Sequence, residues 1–113
     1  MRYALLLCQD ESIETSPEER SERVAAFSRL QDEMEARGVL VSGLRLRPTY
    51  CSTTVRVRGG DLVIADGPFA ETKEQIGGFF LVECRDLDEA INVAAAIPIA
   101  EYGTVEVRPV WER

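Results

Sequence analysis

Residues 66–78, Asp66-Gly67-Pro68-Phe69-Ala70-Glu71-Thr72-Lys73-Glu74-Gln75-Ile76-Gly77-Gly78, hold more ionisable chemistry than a turn needs. The apolar run Leu62-Val63-Ile64-Ala65 leads in and Phe79-Phe80-Leu81-Val82 leads out, and two strands need only a short polar turn between them. Asp66, at a strand end, can serve as a general base or hold a hydroxyl or amine of a ligand, so it is the candidate catalytic residue. An aspartate before Gly-Pro is also a turn former whose carboxylate accepts backbone N–H groups; the two readings are compatible, since a turn can line a cleft. Lys73 can bind an anion or, if desolvated, act as a base. Thr72 adds a hydroxyl donor, and Phe69 and Tyr102 can wall a binding site from loops. Glu71 and Glu74 around Lys73 fit a solvated turn with weak ion pairing equally well.

A second constellation is cationic. In extended segments alternate residues share a face, so Arg45 pairs with Arg47 and Arg56 with Arg58. If the two faces coincide, four guanidinium groups gather, and like charges side by side in a sheet need an answer. Glu83 and Glu106 can supply it, or a bound carboxylate or phosphate can, because arginine binds both in a bidentate fork. Arg45, Arg56 and Arg58 are therefore candidate ligand-binding residues, together with Phe69, Thr72 and Lys73.

Other chemistry is excluded by composition. The chain has no histidine, so no serine or cysteine has an imidazole to activate it. Nor is there a glycine-rich phosphate loop or a dinucleotide fingerprint. Any enzymatic activity would use carboxylate, lysine, tyrosine or bound water, which suits a cofactor-free proton transfer or isomerisation. Cys8, Cys51 and Cys84 have no metal-type spacing, and we expect no metal and no cofactor. Cys8 and Cys84 sit inside apolar runs and read as small buried residues in a reducing cytoplasm, while Cys51 lies in a loop. The net charge of −7 argues against a nucleic-acid surface. No apolar run approaches the ~18 residues of a membrane span, and the first residues run straight into a strand rather than a leader. The expectation is a cytoplasmic protein without a membrane segment.

The elements that must position these residues follow from periodicity. Of the 113 residues 45% are hydrophobic, enough for one domain spanning 1–113 with a modest core. Residues 3–8 read as a buried strand. Ser16-Pro17-Glu18-Glu19 is a helix start with a capping box, and Val24, Phe27, Leu30 and Met34 recur at helical spacing up to Gly38, predicting a helix over 17–37. Strands are expected at 39–46, 53–58 and 62–65, the last two joined as a hairpin, and at 78–85. Asp86 caps a second helix over 87–96, with Leu87, Ala90, Ile91 and Ala94 as its apolar face, ending before Pro98. A final strand spans 104–111. This order is that of a ferredoxin-like α+β fold, a split βαβ with an inserted hairpin. With both helices on one side of the sheet, the other side needs a partner, and a homodimer joined sheet to sheet is expected. Phe79 and Phe80, being adjacent, should point to opposite sides.

The stretch DGPFAETKEQIGG closely resembles the signature of the DGPF branch of YCII-related proteins. The likeness extends to Thr53-Thr54-Val55-Arg56-Val57-Arg58, to Asp86-Leu87-Asp88-Glu89-Ala90 and to Tyr102-Gly103-Thr104-Val105-Glu106-Val107-Arg108-Pro109. The resemblance implies a small cytoplasmic dimeric α+β barrel without a known cofactor. It implies no established reaction: some relatives are enzyme-like, and others resemble accessories of extracytoplasmic-function sigma factors. The wider group is discussed in terms of a histidine–aspartate site; without a histidine here, only Asp66 carries over. Two functional expectations follow. One is a small-molecule site, with affinity for anions, lined by the loop from Asp66 to Lys73. The other is an accessory role with a sigma factor or another protein partner, using the acidic helix face of Glu18, Glu19, Glu22, Asp32, Glu33 and Glu35.

Overall fold

The computed structural model describes residues 1–112. In chain order it contains β1 (Arg2–Gln9), α1 (Pro17–Ala36), β2 (Leu40–Arg45), β3 (Thr53–Arg58), β4 (Asp61–Asp66), β5 (Gln75–Glu83), α2 (Leu87–Ala95) and β6 (Thr104–Pro109). Single 3₁₀ turns occur at Thr49–Cys51 and Pro98–Glu101. Four strands form an antiparallel sheet in the order β2-β5-β1-β6, and β3 pairs with β4 in a sheet of their own. This is a mixed α+β architecture consistent with the expected ferredoxin-like fold.

The helix ends are set locally. The Ser16 hydroxyl accepts the backbone N–H of Glu19 at 3.1 Å, satisfying one of the unpaired donors of the first turn of α1. At the other end Gly38 takes φ +71°, the Gly38 N–H bonds the Glu35 carbonyl and the Val39 N–H bonds the Met34 carbonyl, both at 3.0 Å. That double closure turns the chain directly into β2. In α2 the Asp86 carboxylate accepts from the Glu89 N–H at 2.9 Å, and the Glu89 carboxylate accepts from the Arg85 N–H at 3.0 Å.

The core lies between the sheet and the helices. Leu5, Phe80 and Val82 are completely enclosed, with Met34 and Ile97 nearly so. Phe80 stacks on Phe27 of α1, ring centroids 4.9 Å apart. On neighbouring β2 the partner of Phe80 is Gly43, where a Cβ would lie 2.6 Å from the Phe80 ring. The glycine is the space the ring occupies.

Three expectations change. β5 spans 75–83 rather than 78–85, because Gln75 and Ile76 already pair with Gln9 and Cys8 beyond an irregularity that leaves Gly77 of β5 without a partner on β1; the strand takes up the end of the central loop. β6 stops at Pro109 rather than 111: the Val110 N–H still bonds the Arg2 carbonyl at 3.0 Å, but the Arg2 N–H donates to the Glu112 carboxylate at 2.9 Å instead of completing the next backbone pair. The face α2 buries is Ala90, Val93 and Ala94, continued by Ile97, while Leu87 and Ile91 are exposed. A short helix approaches the sheet most closely on its small residues, and that stripe wins over the bulkier one.

The β3–β4 hairpin turns on Gly59 and Gly60, with φ of +59° and +83°, the left-handed conformations of a two-residue hairpin loop. It projects from the body: every residue of β4, and all of β3 except Thr54, is exposed. The radius of gyration is correspondingly 15.9 Å, against about 13 Å for a compact chain near this length.

Candidate functional site

The sandwich of sheet and helices opens at one end into a cleft of about 910 Å³, where β1 gives way to the link 10–15 and α1 begins. Its apolar floor comes from the core itself: Leu7 of β1, Phe27 of α1, and Ile97 and Ile99 around the 3₁₀ turn before β6. Around this floor stand Arg20 and Arg23 from the first turns of α1, Arg45 from the last position of β2, and Tyr50 and Tyr102.

The rim is held by local hydrogen bonds. The Glu11 carboxylate accepts from the Thr49 backbone N–H at 3.0 Å and from its hydroxyl at 2.6 Å, tying the β1–α1 link to the chain that leaves β2. The Asp10 carboxylate accepts from the Ser12 hydroxyl at 2.6 Å and from the Ser12 N–H at 2.9 Å. These bonds, the hydroxyl first, hold Asp10 below the usual aspartate range, and the charge of nearby Lys73 adds to the effect. Arg20 donates to the Thr15 carbonyl at 2.8 Å. The Arg23 guanidinium lies 4.0 Å from the centre of the Tyr102 ring, a cation–π contact that orients it across the opening.

Among the described residues the ion pairs are those of the Met1 amino group with Glu83, Arg85 with Glu89, and Arg108 with Glu106. Arg20, Arg23 and Arg45 thus line the cleft without an ion pair of their own, although Asp10, Glu11 and Glu14 share the lining with them. Three guanidinium groups over an apolar floor suit a molecule with an apolar body and a carboxylate or phosphate end.

The residues singled out in the sequence divide sharply. Of the candidate catalytic and ligand-binding residues Arg45 alone lines the cleft; Lys73 lies outside the lining, near enough for its charge to act on Asp10. Asp66 closes β4 opposite Thr53 and is exposed. Beside it Gly67, at φ +93°, donates to the Ser52 carbonyl at 2.8 Å and accepts from the Thr54 hydroxyl at 2.7 Å. Phe69 is exposed, with the Arg56 guanidinium 4.7 Å from its ring centre. Thr72 donates its hydroxyl to the Glu74 carbonyl at 2.6 Å, and Gln75 donates its amide to the carbonyls of Ala70 and Thr72. Arg58 donates to its neighbour's carbonyl, that of Val57. Asp66, Phe69, Thr72, Arg56 and Arg58 all lie outside the cleft lining.

The gathering of four arginines does not occur within one sheet. Arg45 ends β2 of the large sheet, Arg47 falls beyond that strand, and Arg56 and Arg58 lie on the separate hairpin. Glu83 and Glu106, the expected answering acids, are engaged by the Met1 amino group and by Arg108. Arg20 and Arg23 were not singled out in the sequence; their three-residue spacing in an otherwise acidic helix opening was the available signal. Of the cysteines, Cys84 is buried, Cys8 half-buried and Cys51 exposed, and burial pushes the Cys8 and Cys84 thiols up, away from the reactive thiolate. Among the described residues no helix is long and apolar enough to cross a membrane, and no three His, Cys, Asp or Glu side chains converge as metal ligands.

Residues 1–113 match the YCII-related domain. The chain belongs to the YCII-related family. The chain is similar to an uncharacterized protein of Rhizobium meliloti (strain 1021), 42% identical over 113 residues, an alignment covering 96% of this chain and 91% of that protein. Membership thus accounts for the whole chain, and the chemistry must be argued from the cleft.

Proposed function

We propose that this YCII-related protein, of the DGPF branch, binds a small molecule with an apolar body and an anionic end in the cleft beneath Arg20, Arg23 and Arg45. The observation that carries the reading is the set of three guanidinium groups lacking carboxylate partners in a chain of net charge −7. Among the described residues most arginines stand without an ion pair; what sets these three apart is that they line one cleft with an apolar floor, and that placement favours a ligand that answers them.

In this reading Arg45 and Arg23 grip the anionic end, while Leu7, Phe27 and Ile99 enclose the body. Lys73 supplies further positive charge from outside the lining. Asp66 is the candidate base for a cofactor-free proton transfer or isomerisation; its link to the cleft runs through Ser52 and the turn at Thr49–Cys51. The protein acts as a homodimer whose sheets meet on their bare faces to form an α+β barrel, in the reducing cytoplasm that its three free cysteines suit.

The test is native mass spectrometry on protein purified gently from its own host. A reproducible extra mass that disappears from the Arg23→Ala/Arg45→Ala variant is the expected result. The same adduct on that variant, or on none of the preparations, would place function elsewhere.

A second reading rests on the outer side of α1, where Glu18, Glu19, Glu22, Asp32, Glu33 and Glu35 are all exposed. Such a stripe suits a basic protein surface, such as that of a sigma factor. Reversing three of these charges should abolish co-purification of such a partner while leaving any cleft adduct in place.

A further inference from the structure

The β3–β4 hairpin has one apolar side. The register pairs Val55 with Ile64 and Val57 with Leu62, so these four side chains share a face, and they are 59%, 61%, 61% and 64% exposed for Val55, Val57, Ile64 and Leu62. The opposite face pairs Arg56 with Val63 and Arg58 with Asp61 and is fit for water. A two-stranded hairpin standing alone is at best marginally stable in water. This one is fully laddered over six residues in each strand, yet its own chain does not cover its apolar side.

The same chain leaves a second apolar surface bare. On the side of the sheet away from the helices, Leu44, Phe79 and Leu6 lie in one row across β2, β5 and β1, with Leu81 and Ala4 in the next. The hairpin springs from that sheet's open edge: Leu46 still bonds Gly77 of β5 at 2.9 Å, and the arm begins seven residues later. One chain therefore carries both an apolar arm and an apolar seat, contiguous along one edge. A two-fold axis lets two copies cover both at once, since each surface recurs on the partner. We infer that the hairpin is an exchanged arm, its Val55, Val57, Leu62 and Ile64 face laid over the bare sheet face of a second copy of this chain. This rests on the homodimer proposed above and adds to it the element that clasps it.

The test is sedimentation equilibrium of the unmodified chain beside Val57→Lys/Leu62→Lys on the arm and Phe79→Lys on the seat. The expected result is a dimer that either variant weakens by about 30-fold or more, the scale of losing a buried interface anchor. Native hydrogen exchange on the unmodified chain guards against a variant that merely misfolds. Amides of β3 and β4 should be protected at dimer-forming concentrations and lose protection on dilution. A dimer indifferent to the arm variant, with unprotected hairpin amides, would overturn the arm while leaving sheet-to-sheet pairing standing. A monomer at tens of micromolar would overturn both, and protection that appears only on adding a different protein would assign the arm to that partner instead.

Discussion

Phe79 and Phe80 are neighbours in sequence and lead opposite lives. Phe80 is completely enclosed, stacked on Phe27 and seated over Gly43. Phe79, one residue earlier on the same strand, faces away from the helices beside Leu6 and Leu44 and is only half-buried. The strand gives both rings the same backbone; what differs is the layer above them. The inner side of the sheet is finished by the chain itself, with two helices and a cleft at its open end. The outer side carries the apolar rows of Leu44, Phe79, Leu6, Leu81 and Ala4, ending at Glu106 and Arg108 of β6, with no helix of the chain laid over them. Stability therefore resides chiefly on one side, and the association proposed above would use the other.

The largest effect should come from breaking the inner side. Phe80→Ala removes the centre of the core and should lower unfolding free energy by about 3–5 kcal/mol, measurable by urea denaturation. Gly43, the residue opposite on β2, has no side chain that could move into the void. On the outer side, Phe79→Lys should behave otherwise. The unmodified protein should melt at a higher temperature as its concentration rises, because association stabilises the folded form; the variant should melt at one temperature throughout. An equal concentration dependence in both would show that Phe79 lies outside the interface.

A smaller effect separates the cleft from the loop at 66–73. Each charge-assisted arginine contact is worth about 1.5–3 kcal/mol, so Arg45→Ala should weaken binding of the cleft ligand by roughly 10- to 100-fold. Lys73→Ala, removing an exposed charge outside the lining, should cost only a few-fold, since exposed pairs contribute about 0–1 kcal/mol. Titration calorimetry with the molecule identified by mass reads both. If Lys73→Ala proved the more damaging, the loop rather than the sheet end would hold the anion.

Much of this division was legible in the residues, and the exceptions are instructive. Ser16, Gly38, Asp86 and the Gly59-Gly60 turn act through their nearest neighbours, so local chemistry read them correctly. The opposed sides of Phe79 and Phe80 followed from the two-residue period of a strand. The buried stripe of α2 did not, because Leu87, Ile91 and Val93 all fit an apolar helix, and only the distance to the sheet selects among them. The cleft was harder still. Arg20 and Arg45 lie 25 positions apart in the sequence and meet only once α1 has folded back over the sheet. The loop at 66–78 drew attention by its density of charge, yet Thr72 and Gln75 spend their polar groups on that loop's own backbone.

The inner side's weak point is its open end, and acid should find it. Asp10 fixes the link 10–15 through its two bonds from Ser12, both of which favour the ionised carboxylate. Its folded pKa is therefore depressed, so its stabilising contribution is complete above the unfolded value of about 4 and fades as pH falls through the lower folded value. The carboxyl resonance of Asp10, followed by NMR, should titrate below that of a free aspartate, and the Ser12 amide should shift with the same midpoint. Asp10→Asn keeps an acceptor for Ser12 but no charge, so the Ser12 amide should then be insensitive over this range. If instead Asp10 titrates as a free aspartate, the Ser12 bonds do not hold in solution. The link would then be held by the Glu11–Thr49 bonds and by Arg20 on the Thr15 carbonyl, without a contribution from the Asp10 carboxylate.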